Sequence, residues 1–382
     1  MPDRSIAEIL ALSMPKAAEK PLKIAVYAIC LNEEKFVDRF MDAIGDADEI
    51  VIADTGSTDG TIAAFRRRGV KPHRIRIKPW RFDVARNAAL SLVSEDVDIC
   101  VSLDLDEIIM PGWRRVLESA WRRANLNHIY YTHAWSRDVT GLWHNLLDNR
   151  IHARHGFVWR YPCHECVAAA AGVPEEIGIV RHLVIEHHPD PTKDRSSYLP
   201  LLELAAKEDP DDPRHAFFLG REYFYRERYE DALRQLTRFL AMAGDGWLGF
   251  ACAARRHMAV ARERLGDADA ALAAFRAAAA AAPAIRGPQV DLAWALYQRE
   301  AWAECYETAL KALALPEEVT EYGCDTDTGV LAEDMASICG WRLGHLEQAL
   351  ILGRQAMAKA PQVERIRKNV ERMERALGAS PA

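Results

Sequence analysis

Val101-Ser102-Leu103-Asp104-Leu105-Asp106-Glu107 is the stretch on which the fold turns. An apolar run from Ile99 to Leu103 drives straight into three acids. Unpaired charge is strongly disfavoured in a buried strand. The strand is therefore expected to end near Leu103, with the acids projecting from its carboxyl edge. Open α/β sheets bind their ligands at that edge. Asp104 and Asp106 are two apart and share a side if the chain stays extended. Two such oxygen donors suit a hard divalent cation that also grips a diphosphate. A solvated acidic turn is the simpler reading of an isolated Asp-x-Asp, so the surrounding sequence has to decide.

The chain of 382 residues is long enough for two domains, or for one domain plus a repeat array, and its apolar fraction of 49% supplies a sizeable core. Acids outnumber bases 56 to 49, which argues against a basic nucleic-acid footprint. Cys30, Cys100, Cys163, Cys166, Cys252, Cys305, Cys324 and Cys339 are scattered, several in apolar contexts. That pattern fits a reducing cytoplasm better than a disulfide scaffold. Met1 to Lys20 lacks a continuous apolar segment, so no signal peptide is expected there, only a tail or short helix. The alanine-rich stretch Ala268–Ala284 is interrupted by Arg276 and too weakly apolar for a membrane span.

In the first half, strand and helix patterns alternate. Ile24–Leu31, Glu49–Ala53, His73–Ile77 and Asp98–Leu103 read as strands, and Lys35–Ile44, Ile62–Arg68 and Val84–Val93 as helices. This order predicts a parallel sheet with right-handed crossovers. Asp54 stands at a strand tip, as Asp104 does, and opens the loop Asp54–Thr61. A polar turn with a helix cap at Thr58 or Asp59 accounts for the end of that loop, but less well for an acid placed directly at the tip. Further on, Trp113–Arg123 reads as a helix with Trp113 and Trp121 on its core stripe. His128–Trp135 and Ile151–Arg160 read as strands, and Ser136–Arg150, with Trp143 and His144, as an acceptor loop.

Four motifs now stand in order: Cys30-Leu31-Asn32-Glu33-Glu34, Ala53-Asp54-Thr55-Gly56-Ser57-Thr58-Asp59-Gly60-Thr61, Arg86-Asn87-Ala88-Ala89-Leu90 and Leu103-Asp104-Leu105-Asp106-Glu107. Together they resemble the ordered signature of bacterial family-two glycosyltransferases, over roughly residues 22–190. The resemblance implies an inverting enzyme with the GT-A nucleotide-diphosphosugar fold. It implies that Asp54 accepts a hydrogen bond from the base, usually uracil, and that Leu31 and Glu33 border the nucleoside. It places Asp83, Arg86 and Asn87 at a helix start facing the nucleotide and its phosphates, where a guanidinium pairs well with phosphate. It places Asp104 near the ribose and among the metal ligands, makes Asp106 the main metal ligand, and leaves Glu107 behind them.

Tyr161-Pro162-Cys163-His164-Glu165-Cys166 admits three readings. Pro-Cys-x-x-Cys is half of a zinc deaminase signature, but that chemistry also needs an upstream His-x-Glu. His133, His144, His152 and His155 are followed two residues later by Trp, Leu, Arg or Phe, so this reading is rejected. A redox Cys-x-x-Cys lacks a thioredoxin-like context. The third reading resembles the His-Glu pair of this glycosyltransferase group, with Glu165 as the catalytic base and His164 shaping the acceptor site; an exposed loop glutamate is the alternative. Inverting transfer needs one positioned carboxylate to take the acceptor's proton. In Leu183-Val184-Ile185-Glu186-His187-His188-Pro189 an apolar run again ends in polar groups. By the same resemblance His187 is the third metal ligand, with His188 as fallback, and the ion is Mn²⁺ or Mg²⁺.

From Pro213 onward the chain is helical and alanine-rich, with self-similar units. Leu219-Gly220, Tyr223, Ala232 and Leu236 find counterparts in Ala259, Gly266, Ala271, Phe275 and Pro283. Later units carry Leu292, Trp302, Cys305, Ala309 and Pro316, then Gly344, Ala349, Gly353, Ala356 and Pro361. These units resemble tetratricopeptide repeats, which bind partners along a concave face or mediate dimerisation; helices that only buttress the first half are the alternative. The insert Glu317–Thr328 is acidic and suits a loop over the groove.

The expectation is thus an α/β GT-A domain over residues 21–197, after a tail over 1–20, followed by a helical repeat domain over 198–378. Its function would be metal-dependent inverting transfer, of hexosyltransferase type, from a nucleotide-diphosphate sugar (UDP above all) to a saccharide, lipid-linked or peptide acceptor. A homodimer or a protein partner would engage the repeats. The competing class is a non-catalytic repeat scaffold that retains a nucleotide-sugar-binding fold.

Overall fold

A computed structural model describes residues 21–124, 126–137, 143–190, 192–193, 195–316 and 329–378. The expected N-terminal tail and the acidic insert 317–328 lie outside the described residues.

Strand β1 (Ile24–Cys30) is apolar at every position because both its faces are covered. Ile24, Val26 and Ala28 join one buried cluster, with Val37, Phe40 and Phe65. Ala25 and Tyr27 join another, with Val51, Ala89 and Trp159. A strand covered on both sides reads as a continuous apolar run rather than an alternating one. The helices α1 (Glu34–Ala43), α2 (Thr61–Arg67) and α3 (Phe82–Ser91) connect β1 to β2 (Glu49–Asp54), β3 (His73–Arg74) and β4 (Ile99–Ser102). All four strands are parallel, in the order β3-β2-β1-β4. The strand expected over His73–Ile77 is shorter, with only His73 and Arg74 paired.

Beyond β4 the sheet changes character. Strand β5 (Glu107–Ile109) and helix α4 (Trp113–Ala124) lead to β6 (His128–Arg137), β7 (Trp143–Ala153), β8 (Phe157–Arg160), β9 (Cys166–Ala169) and β10 (Ile177–His187). The eight-stranded order is β3-β2-β1-β4-β7-β6-β10-β5, with β7 antiparallel to both β4 and β6. The four alternating strands are parallel as the alternation predicts, and the strands after β4 make the whole sheet mixed. The single strand expected over Ile151–Arg160 is two, broken at Gly156, whose φ of 82° suits glycine; β8 turns away to pair with β9. The expected acceptor loop is bounded by strand on both sides, since β7 already begins at Trp143. The side chains of Trp143 and His144 lie outside the described residues. Trp113 is buried against the sheet and Trp121 packs on the same core, as the helical stripe predicts.

The second half is all helix: α5 (Tyr198–Glu208), α6 (Pro213–Tyr225), α7 (Tyr229–Met242), α8 (Leu248–Arg264), α9 (Ala268–Ala281), α10 (Arg286–Gln298), α11 (Trp302–Leu313), α12 (Val330–Arg342), α13 (Leu346–Lys359) and α14 (Glu364–Leu377). The break at Asp209–Pro213 is capped by Asp212, whose carboxylate accepts from the Arg214 amide at 2.8 Å. The recurrent small residues mark close helix approach. A Cβ at Gly220 on α6 would stand 2.8 Å from Leu236 of α7, and one at Gly340 on α12 would stand 2.9 Å from Tyr306 of α11. Among the described residues no helix is long and apolar enough to cross a membrane.

Candidate active site at the carboxyl edge of the sheet

Parallel pairing puts the ends of β1, β2 and β4 side by side. Cys30 pairs with Asp54, and Tyr27 with Ser102 two residues before Asp104. Asp54 and the acids after β4 therefore open onto one edge, as the strand-end reading requires. Asp54 is fully buried, and its carboxylate accepts from the amides of Gly56 and Ser57, both at 3.1 Å from Oδ1. Leu31 stands 49% exposed beside this turn, available to a flat ring. Asn32 closes the same turn by accepting from the Thr58 amide at 2.7 Å.

Glu33 is buried and paired with Lys193 at 2.5 Å. The sequence offered no sign of Lys193. Burial pushes the Glu33 carboxyl from its ordinary 4.5 up to about 7, against the opposing pull of Lys193. A group that holds its proton better when folded contributes most to stability below pH 4.5, and loses that contribution as pH rises to about 7. Glu33→Gln cannot ionise. Across that window its chemical-denaturation midpoint should rise relative to wild type; a difference flat in pH would remove the assignment.

At the centre lies a network of buried charges. Arg86, on α3, donates from Nε to Glu165 Oε1 at 2.5 Å, from Nη2 to Asp104 Oδ1 at 2.8 Å, and from Nη1 to Ser102 at 3.2 Å. Its guanidinium lies 4.8 Å from the Trp159 ring. Arg150, on β7, takes the other oxygen of Asp104 at 2.9 Å. Burial alone would raise the Asp104 carboxyl, but Arg86 and Arg150 outweigh it and hold it well below the usual range. Glu107 accepts the Asp104 amide at 2.8 Å and stands 3.2 Å from His133 and 3.4 Å from Arg150, behind the acids as expected.

Two residues expected at the nucleotide are engaged elsewhere. The Asn87 amide donates to the Trp159 carbonyl at 2.8 Å and accepts from its N–H at 2.9 Å, which fastens β8 to α3. Asp83 takes both a 2.9 Å and a 3.1 Å bond from Arg81, which also grips Glu208 of α5. Through these contacts β8 and α5 are tied to α3.

Of the three expected metal ligands, Asp106 and His187 meet: Oδ2 and Nε2 are 3.5 Å apart and both side chains are buried. The two oxygens of Asp104, the third expected ligand, each accept from a guanidinium group in this structure. His188 turns to Glu186 at 3.0 Å. Among the described residues no group of three or more His, Cys, Asp or Glu is arranged around a metal position. A carboxylate and an imidazole do fit one divalent ion, leaving its remaining positions for diphosphate oxygens and water.

The loop after β8 carries Glu165 beside Arg86 and His164 beside the helices. His164 has a φ of 50°, and its ring stacks on Phe218 of α6 with centroids 4.4 Å apart. Arg214 donates to the His164 carbonyl at 2.9 Å, and Arg221 Nη2 stands 3.0 Å from Nε2. Burial, then Arg221 and Arg214, hold this imidazole well below its usual range, so it is neutral. Cys163 is buried in the helical core with Leu202 and Phe217, and every cysteine among the described residues is unbridged.

Residues 25–177 match the family model of glycosyl transferase family 2. The lipopolysaccharide core biosynthesis glycosyltransferase LpsC of Rhizobium meliloti (strain 1021) is 33% identical over 99 residues, which is 25% of this chain and 36% of LpsC. The match thus spans about a third of that relative's length. Solved structures similar to parts of the chain include MamA, at TM-score 0.35 and 16% identity over 43% of this chain and 88% of that one. A thermophilic TPR protein of Thermus thermophilus gives TM-score 0.32 and 20% identity over 46% of this chain and 89% of that one.

Proposed function

We propose, from the match of residues 25–177 to the family model of glycosyl transferase family 2, that the chain is a metal-dependent, inverting glycosyltransferase that draws on a UDP-sugar. The observation that supports this most is the convergence on one sheet edge of Asp54, the Asp106–His187 pair and the Arg86–Glu165 pair. Asp54 and Leu31 take the base, and Arg86 and Arg150 face the phosphates. A divalent cation held by Asp106 and His187 would offset negative charge on the leaving diphosphate. Glu165, fixed through Oε1 by Arg86, offers Oε2 to the acceptor's proton as the acceptor oxygen attacks the anomeric carbon in line. Residues 21–197 form the catalytic domain in this reading and 198–378 the helical one. The likeness to LpsC, a glycosyltransferase of lipopolysaccharide core biosynthesis, favours a saccharide acceptor; the hexosyl donor rests on the sequence motifs alone, and a peptide acceptor or a protein partner would engage the helices.

Calorimetry with UDP, with and without Mn²⁺, tests the donor side. UDP binding is expected to tighten by at least about tenfold with the ion, and Asp106→Asn to abolish that gain. Equal binding with and without Mn²⁺ would remove the metal. A donor-hydrolysis screen across nucleotide-sugars then names the sugar without an acceptor. Metal-dependent binding with no turnover on any donor would favour the scaffold class.

A further inference from the structure

The loop that bears Glu165 is held from two sides by different parts of the chain. On the sheet side, the Phe82 amide donates to the Pro162 carbonyl at 3.1 Å, and Arg86 fixes the Glu165 carboxylate. On the helical side, the hold comes chiefly from α6, with Tyr198 of α5 edge-on to the His164 ring. Phe218 carries much of this hold: the His164 ring stacks on it, and the guanidinium groups of Arg214 and Arg221 each lie 4.7 Å from its centroid. Arg214 also bonds the His164 carbonyl, and Arg221 faces the His164 ring nitrogen.

These contacts have a backbone consequence. Tyr161 and His164 both adopt positive φ, 78° and 50°, which side-chain-bearing residues rarely do. Such conformations cost of order 1–3 kcal/mol each and persist where surrounding structure over-determines them. Here the surroundings are α6: Tyr161 packs edge-on against His215 at 5.0 Å, and His164 lies on Phe218. A loop free of α6 would relax out of this shape and swing the next residue, Glu165.

Resting on the assignment of Glu165 made above, we propose that the helical array completes the active site: Arg214, Phe218 and Arg221 are positioning residues that aim Glu165 by holding His164. In this proposal they act through His164 and not on the donor or acceptor directly. Their effect is on the geometry of the reacting carboxylate, where a displacement of about 1 Å costs up to about a hundredfold in rate.

The test uses the full chain, with Arg221→Gln, Arg221→Lys and Phe218→Leu. It reads amide hydrogen exchange over 161–166 and steady-state kinetics on the nucleotide-sugar that the donor screen identifies. The expected result is faster exchange in that loop, kcat lower by about tenfold or more, and donor KM within about twofold. Arg221→Lys restores most of the rate, since an ammonium can still face the ring nitrogen and Phe218. A merely structural role would lower thermal stability without splitting kcat from KM, and that outcome overturns the proposal. So does a loosened loop with wild-type kcat, or no change in either. If Arg221→Gln does not fold, Phe218→Leu gives the same readings from the ring on which His164 stacks. Wild-type kcat in these variants, with Glu165→Gln inactive, sinks the positioning role alone. Full transfer by Glu165→Gln sinks the base assignment instead.

Discussion

Arg86→Met is expected to destabilise the fold by about 3–5 kcal/mol, the usual result of removing one partner from a buried ion cluster. Arg86 is 3% exposed and joins Glu165, Asp104 and Ser102 at once. Methionine fills similar volume against Trp159 but leaves Glu165 without its guanidinium and Asp104 with Arg150 alone. The Asp104 carboxyl should then climb from its depressed position, because its largest stabilising charge is gone. Denaturant unfolding at neutral pH measures the loss. A change below about 1 kcal/mol would mean that Arg150 carries the cluster by itself. Arg86→Lys should recover little, since one ammonium cannot reach three acceptors in a planar fork.

Glu165→Gln should cut transfer by about a hundredfold to ten-thousandfold, the range of a lost general base. The substitution is nearly isosteric, and its amide oxygen can still accept from Arg86 Nε, so fold and UDP affinity should stay near wild type. What disappears is a carboxylate able to take the acceptor's proton. Transfer at the wild-type rate would dismiss Glu165, and a parallel loss of UDP binding would show that the substitution disturbed Arg86 rather than the base.

Most of the ligand edge was legible because its signals are local. Apolar runs that end in acids at Asp54 and Asp104 report strand ends, whatever else the chain does. The acid doublet follows from the end of β4 in the parallel order β3-β2-β1-β4, and the Asp106–His187 meeting from the antiparallel pairing of β10 with β5, which sets His187 opposite Glu107. The motifs pointed at Asn87 and Asp83 for the nucleotide, and the structure adds contacts for both that the motifs do not announce. Both lie on α3, Asp83 in its first turn and Asn87 at its middle, and their side chains contact Arg81 and β8. Arg150, Lys193 and Arg221 were missed altogether. Arg150 reaches Asp104 across 46 positions, and Lys193 reaches Glu33 across 160. Nothing near either residue marks it, apart from the alternation of Asp148 and Arg150 on a strand otherwise rich in apolar groups.

The sequence by itself determined the strand ends, the acids that stand on them and the turn to helical repeats after Pro213, because periodicity, termini and turns are written within a few consecutive residues. The tertiary structure alone decided which cations meet those acids, and that α6 packs against the His164–Glu165 loop. Those pairings depend on strand order in a mixed sheet and on the docking of one half against the other, and neither leaves a mark in local spacing.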